Sequence, residues 1–313
     1  MRNIVIIFLF LVPALLFGGG KKEQELSASP EEQSIYRINA IDIQVEGRTQ
    51  AFAIKDAANI TSGTLIRGKK NLDAYIAEKK QFLTSQRVFE NSALAFSVGD
   101  IDENNQIPVD LSISVKDSSN FVIVPAFKYD SNEGLFLKIS PRNFNFFGTL
   151  TPMILGIGYE RDTEGNNGFL LESDISLPFE FGGYIWTFDF ANQLDIMQNS
   201  PTFYSNDLGL LVDIPLNVTT LTFGLYESIY VNEENDNRIK AAEGEFFRDV
   251  WYLNTTALAR WNIPTGLKIF DFGELEYTPE LDFSINYRPG GEIGDSRRGF
   301  EITLKQSLAF GTI

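Results

Sequence analysis

From Phe121 to Phe310, apolar and polar side chains alternate with a period of two, in segments of about ten residues. Leu155, Ile157 and Tyr159 alternate with Gly156 and Gly158. Tyr184, Trp186, Phe188 and Phe190 alternate with Ile185, Thr187, Asp189 and Ala191. The pattern recurs at Leu208, Leu210, Val212 and Ile214, at Leu221, Phe223 and Leu225, at Leu281, Phe283, Ile285 and Tyr287, and at Phe300, Ile302 and Leu304. A period of two sends successive side chains to opposite faces of a strand. Each segment therefore has one greasy face and one small or polar face. Strands of soluble sandwiches alternate too, but usually run to about five or six residues. Longer strands, apolar outside and polar inside, are the pattern of a transmembrane barrel. About ten such strands follow Asn120.

One segment allows a length check. Trp251 and Trp261 share a face ten residues apart, about 33 Å along a strand at roughly 3.3 Å per residue. Tilted by about 45°, that span projects to roughly 23 Å, close to the apolar band of about 25 Å between the aromatic girdles of outer-membrane barrels. The two tryptophans are expected at the two interfaces. Connections then separate the two sides. Short turns follow SLPFEFGG, VDIPLNVTT and WNIPTG, with Pro178, Pro215 and Pro264 near strand ends where no ladder donor is needed. Long polar loops such as RDTEGNNG and NEENDNRIKAAEGEFFRD lie between them, and barrels of this kind put long loops outside and short turns in the periplasm.

The first third of the chain reads differently. Arg2 precedes an apolar run from Ile4 to Phe17, with small residues Gly18 and Gly20 after it. At about 14 residues the run is shorter than the roughly 20 a membrane helix needs, so residues 1–20 read as an export signal. Residues 21–34, polar and interrupted by Pro30, read as a flexible linker. From residue 35 to 117 the pattern is that of a compact α+β domain. Ile41, Ile43 and Val45 mark a strand, Phe52, Ile54 and Ala58 a short helix, and Leu72, Tyr75, Ile76, Lys79 and Leu83 the face of a longer helix. Leu94, Phe96 and Val98 mark one later strand; Val109, Leu111, Ile113 and Val115 mark the last. The order is strand, helix, helix, strand, strand (βααββ), a sheet with its helices on one side.

Asp117–Leu150 is the hinge between the two halves. Phe121, Ile123, Phe127 and Tyr129 share a face of a first strand, Ser131–Gly134 turn the chain, and Leu135, Leu137 and Ile139 share a face of the next. Here the residues resemble a family. YRINAIDIQVEG, the helix pair around ITSG, FENSALAFSV and PVDLSISVKD are similar to a POTRA (polypeptide-transport-associated) domain of the BamA-type outer-membrane assembly and secretion superfamily. VPAFKYDSNEG, LFLKISPRN and the NFFG at Asn145–Gly148 are similar to that superfamily's first barrel hairpin and first periplasmic turn. The resemblance implies a POTRA domain over residues 35–117 in the periplasm, an antiparallel all-β barrel over 118–313 in the outer membrane, and unfolded outer-membrane or secreted polypeptides as partners, with periplasmic or lipoprotein accessory factors.

Arg298, Gly299 and Phe300 are similar to an arginine-glycine-aromatic motif that the superfamily carries on a loop folded into the lumen, although Arg297 precedes it where an aliphatic residue is usual. The strand order implied by the resemblance makes Leu94–Val98 the expected open edge of the small sheet, accepting an extended segment by strand addition. The resemblance implies more than ten strands, so two readings stand, a small closed ten-stranded barrel and the front part of a longer one. The second is favoured, with no ladder expected between Phe300–Phe310 and Phe121–Tyr129.

Composition narrows the chemistry. A net charge of -16 without a Lys/Arg cluster argues against nucleic acid. With no His and no Cys, Ser-His-Asp catalysis, zinc sites and disulfides are excluded. Asp100, Asp102 and Asn104 have the opening spacing of a calcium loop, but Asn105 and Leu111 stand where Gly and Glu are wanted, so an acidic hairpin turn is expected. The acidic stretch Asn232–Asn237 reads as a solvated loop. Neither an enzyme nor a cofactor is expected. The leading reading is an outer-membrane protein that assists polypeptide insertion or translocation. The alternatives are a passive channel or surface structural barrel with a docking domain, and a soluble periplasmic binding protein.

Overall fold

The computed structural model describes residues 34–132, 134–199, 202–216, 219–231, 251–268, 274–288 and 297–310. The signal and most of the linker, and the acidic stretch Asn232–Asn237, lie outside the described residues.

The N-terminal domain runs β1 (Ile35–Glu46), α1 (Ala51–Ala57), β2 (Leu65–Arg67), α2 (Lys69–Ser85), β3 (Phe89–Val98) and β4 (Gln106–Asp117). The βααββ order is thus corrected to βαβαββ, because the three residues of β2 pair antiparallel with Ile35–Arg37 between the two helices. The sheet order is β2-β1-β4-β3, with β1 and β4 parallel and β3 antiparallel to β4. Period two is plain in β4, where Val109, Leu111, Ile113 and Val115 are buried and Asp110, Ser112 and Ser114 are exposed. The helices cover the buried face. On α2 the residues Leu72, Ile76, Lys79 and Leu83 are buried, which is the face read from the 3.6 period. Lys79 keeps its ammonium on Glu78 at 2.7 Å and lays its stem in the core. Ile38, Ile54, Leu72, Leu83 and the four β4 residues close one core. At the β3–β4 turn the Asp102 carboxylate accepts from the amides of Asn104 and Gln106, as an acidic hairpin turn requires.

The remaining strands are β5 (Phe121–Asp130), β6 (Gly134–Asn143), β7 (Met153–Arg161), β8 (Asn167–Phe181), β9 (Tyr184–Met197), β10 (Phe203–Leu216), β11 (Thr219–Val231), β12 (Trp251–Lys268), β13 (Glu274–Arg288) and β14 (Arg297–Phe310). They form one ten-stranded sheet in sequential order from β5 to β14, each pair antiparallel. The first hairpin has the expected bounds, with Tyr129 opposite Leu135. Pro125, opposite Ile139, sits on the outer strand β5, where a missing donor costs no ladder bond. Among the described residues β5 and β14 are the two edges and do not pair with each other. One face carries exposed apolar side chains on every strand, from Phe127 on β5 to Ile302 on β14. No helix among the described residues is long and apolar enough to cross a membrane, which leaves crossing by strands open.

Candidate functional site

Three features stand out, one on the small sheet, one where the two halves meet and one on the large sheet. The first is an unpaired strand edge. β3 is the outer strand of the small sheet, hydrogen-bonded on one side to β4 and on the other to nothing among the described residues. Leu94, Phe96 and Val98 lie opposite Ile113, Leu111 and Val109, on the helix-covered face. Coverage fades along the strand. Leu94 is half-buried, whereas Phe96 is 43% exposed and Val98 50%. A backbone with free donors and acceptors beside uncovered apolar side chains is a template for another extended segment.

The second feature is a built joint. Asn145 is buried in the β6–β7 turn, donates its amide to the Thr49 hydroxyl at 2.6 Å, and accepts from the Leu150 amide at 2.9 Å. Thr49 in turn donates to Asp117 Oδ1 at 2.6 Å, and the amides of Arg48 and Thr49 donate to Asp117 Oδ2 at 2.6 and 3.0 Å. One carboxylate thus ties the end of β4 to the β1–α1 loop, and one asparagine ties that loop to the sheet. The Gln50 amide donates to the Gly148 carbonyl at 2.8 Å, and its side chain to the Phe147 carbonyl at 2.8 Å. Gly148 is required here, since its φ is +79° and an added Cβ would lie 2.0 Å from the Arg48 carbonyl oxygen. The Arg87 guanidinium lies 4.0 Å over the Phe144 ring, and Leu150 packs on the domain core. The NFFG run quoted for its resemblance therefore forms the contact surface. Its partners Thr49 and Asp117 carried no periodic signal.

Near this joint Asp56 on α1 is pushed above the ordinary carboxylate range, first by lost hydration and then by repulsion from Asp213 on β10. Helix α1 faces the end of the sheet that holds the β6–β7 turn, since Gln50, which precedes the helix, binds Gly148 of that turn. The two-residue β8–β9 turn, Gly182–Gly183, is at that same end.

The third feature is the polar face of the sheet. Tyr226 donates to Asp189 at 2.6 Å across Gly209, and Ser176 donates to the same carboxylate at 2.7 Å. On β12 to β14 Arg260 binds Glu280 at 2.6 Å, while Lys305 binds Glu280 at 3.0 Å and Asp282 at 2.6 Å. Lys138 pairs with Glu172. Polar and charged groups paired across strands, opposite an exposed apolar face, reverse the arrangement of a water-soluble sheet.

The other predicted residues fall as follows. Trp251 and Trp261 share the apolar face of β12 and are 38% and 44% exposed. Arg298, Gly299 and Phe300 lie within β14, opposite Tyr287, Asn286 and Ile285 of β13. Their expected place on a lumen loop is corrected. Phe300 begins the same alternation as Ile302 and Leu304, and it is 66% exposed on the apolar face, while Arg298 sits 5.7 Å over the Tyr287 ring. A residue that fits the strand period and has a ladder partner stays in the strand.

No family model matches the chain, and no curated protein sequence is similar to it. Solved structures are, among them the following three. BamA from Haemophilus ducreyi lacking POTRA domains 1–3 is 12% identical over 80% of this chain and 50% of that one, with a TM-score of 0.39. CdiB from Acinetobacter baumannii is 14% identical over 87% and 61%, with a TM-score of 0.35. CdiB from Escherichia coli is 8% identical over 92% and 78%, with a TM-score of 0.25. The chain spans half the length of the first and about three-fifths of the second. At such scores the likeness carries no functional conclusion. These structures are what the chain is similar to.

Proposed function

We propose that this chain is an outer-membrane protein whose N-terminal domain, a POTRA domain in the periplasm, binds unfolded polypeptides and assists their insertion into or translocation across the outer membrane. It has no catalytic activity of its own. The observation that carries the reading is the open β3 edge, with Phe96 and Val98 uncovered, on a domain fixed by Asn145, Thr49 and Asp117 to a sheet that exposes its apolar face.

The mechanism is strand addition. A client in extended form takes main-chain hydrogen bonds from β3, which give affinity without demanding a sequence. Its alternate side chains lie beside Phe96 and Val98 on one face and beside Ala93, Ala95 and Ser97 on the other. The joint holds this edge at a fixed place relative to the sheet, so a bound segment is presented to the membrane in one orientation. Clients are outer-membrane or secreted polypeptides, accessory factors are periplasmic proteins or lipoproteins, and the exposed face of the sheet meets outer-membrane lipid.

The test uses an outer-membrane barrel protein denatured in urea and diluted onto the purified chain. A photoreactive residue at Phe96 should capture it, and one at Ser112 on the middle strand β4 should not. Equal capture at both positions, or none at either, would remove strand addition at this edge. The polar face of β11 to β14 favours a second reading, a passive channel with a docking domain. Ion conductance with no loss of outer-membrane proteins on depletion would select it.

A further inference from the structure

The apolar face of the sheet carries one level belt of polar residues. Ser173 on β8 lies opposite Asn192 on β9, which lies opposite Asn206 on β10. One step along β11, diagonal to Asn206, is Glu227, opposite Thr255 on β12. On each of these strands the same-face neighbours two residues away are Leu, Ile, Phe, Ala or Tyr. Height is similar from β8 to β11. Ser173, Asn192 and Glu227 each lie eight residues from the turn-side end of their strand, and Asn206 lies ten. On β12 Thr255 lies four residues from Trp251 and six from Trp261 on the same face, about 9 and 14 Å in projection at roughly 3.3 Å per residue and a tilt of about 45°, which is inside the apolar band between the two tryptophans.

Hydrogen bonding within the chain leaves the belt half-satisfied. Asn192 and Asn206 each give one amide hydrogen to a carbonyl of the neighbouring strand, at 3.3 and 3.4 Å. Glu227 accepts from the Thr255 hydroxyl at 2.6 Å through one oxygen, and among the described residues its other oxygen and the second amide hydrogen of Asn192 make no hydrogen bond. Lipid offers nothing to either group, and polar atoms left bare in hydrocarbon are costly. The order across the strands is Ser, Asn, Asn, Glu, Thr, with Asn206 in the middle. A two-fold axis along the membrane normal through β10 brings donor to acceptor on both sides at equal height.

We propose that a second copy of this chain packs on this belt, with Asn192 of each copy donating to Glu227 of the other and β10 on the axis. Self-complementarity about one patch is what a two-fold interface requires, and donor-to-acceptor pairing is what drives association within lipid. The inference rests on the reading of the apolar face as lipid-facing.

The chain has no cysteine, so a single introduced thiol is unique. Leu208→Cys places one beside the axis, on an exposed position of β10, and Ile302→Cys places one on the same face of β14. Membranes holding each variant of the full chain are floated on a gradient and then oxidised. Leu208→Cys should run at twice its mass without reductant, Ile302→Cys should not, and adding Glu227→Leu to Leu208→Cys should remove most of the doubled band. Heat-modified mobility of each variant reports that its sheet is folded. A chain that does not float overturns the lipid-facing reading. A chain that floats but stays monomeric, cross-links equally at β14, or cross-links undiminished with Glu227→Leu overturns the dimer. Native mass spectra showing a lipid or another protein on the belt instead would do the same.

Discussion

The N-terminal domain and the sheet keep their apolar residues in opposite places. In the domain Ile38, Ile54, Val109 and Ile113 have no exposure at all, while in the sheet Phe127 is 72% exposed, Leu304 61% and Leu225 57%. Both regions obey the same period of two. What differs is the second face. Behind the buried residues of β4 lie Asp110, Ser112 and Ser114, exposed to solvent, whereas behind the exposed residues of β11 and β12 lie Tyr226, Thr256 and Arg260, bonded to Asp189 of β9 and to Ser284 and Glu280 of β13. Hydrophobicity alone therefore does not define an inside. The side on which polar groups are tied together does.

The largest expected effect separates the two regions directly. Ile113→Asp puts an unpaired carboxylate in a closed core and should cost on the order of 4 kcal/mol or more. A fragment of residues 34–118 carrying it should give no cooperative melt. The same change at Leu225 should leave that domain's melt intact and cost the sheet roughly 1–3 kcal/mol, read by urea unfolding in lipid vesicles. If Leu225→Asp is silent in vesicles, the exposed face does not meet lipid.

A smaller effect is expected where the regions meet. Gly148→Val forces a branched side chain into a φ of +79° and against the Arg48 carbonyl, which should cost about 1–3 kcal/mol. Both regions should stay folded while the amide of Gln50, bonded to Gly148, exchanges faster. Unchanged exchange at Gln50 would mean that the joint is held elsewhere.

The smallest effect concerns Asp56. Its raised pKa means that the folded chain holds the proton more tightly than the unfolded one. The penalty is absent below the ordinary carboxylate range, grows as pH rises through it, and is complete above the raised folded-state pKa. Asp56→Asn should therefore raise the melting temperature slightly at about pH 7 and leave it unchanged at about pH 3. An equal change at both values would place Asp56 away from Asp213.

Much of this was legible because it is periodic. The ten strands, the β5–β6 hairpin and the buried face of α2, including Lys79, follow from repeats of 2 and 3.6. β2 escaped because three residues cannot display a period. The joint escaped for another reason. Asn145 and Thr49 are 96 residues apart and Thr49 and Asp117 are 68 apart, and polar contacts at such separations have no local signature. The arginine-glycine-phenylalanine run misled because motif likeness was set against a strand period that also fitted, and the ladder to β13 decided it.

The parallel pairing of β1 with β4 has a mechanical consequence. Ile35 lies opposite Gln106 and Glu46 opposite Lys116, so the chain enters the domain at the end far from the sheet and leaves it at the near end. Tension between whatever precedes Ile35 and the sheet beyond Asp117 pulls these two strands past each other along their length. Their cross-strand bonds are then loaded together in shear, not opened one after another as in a peeled hairpin, and the domain transmits force where a β1–β4 pair of opposite polarity would unzip.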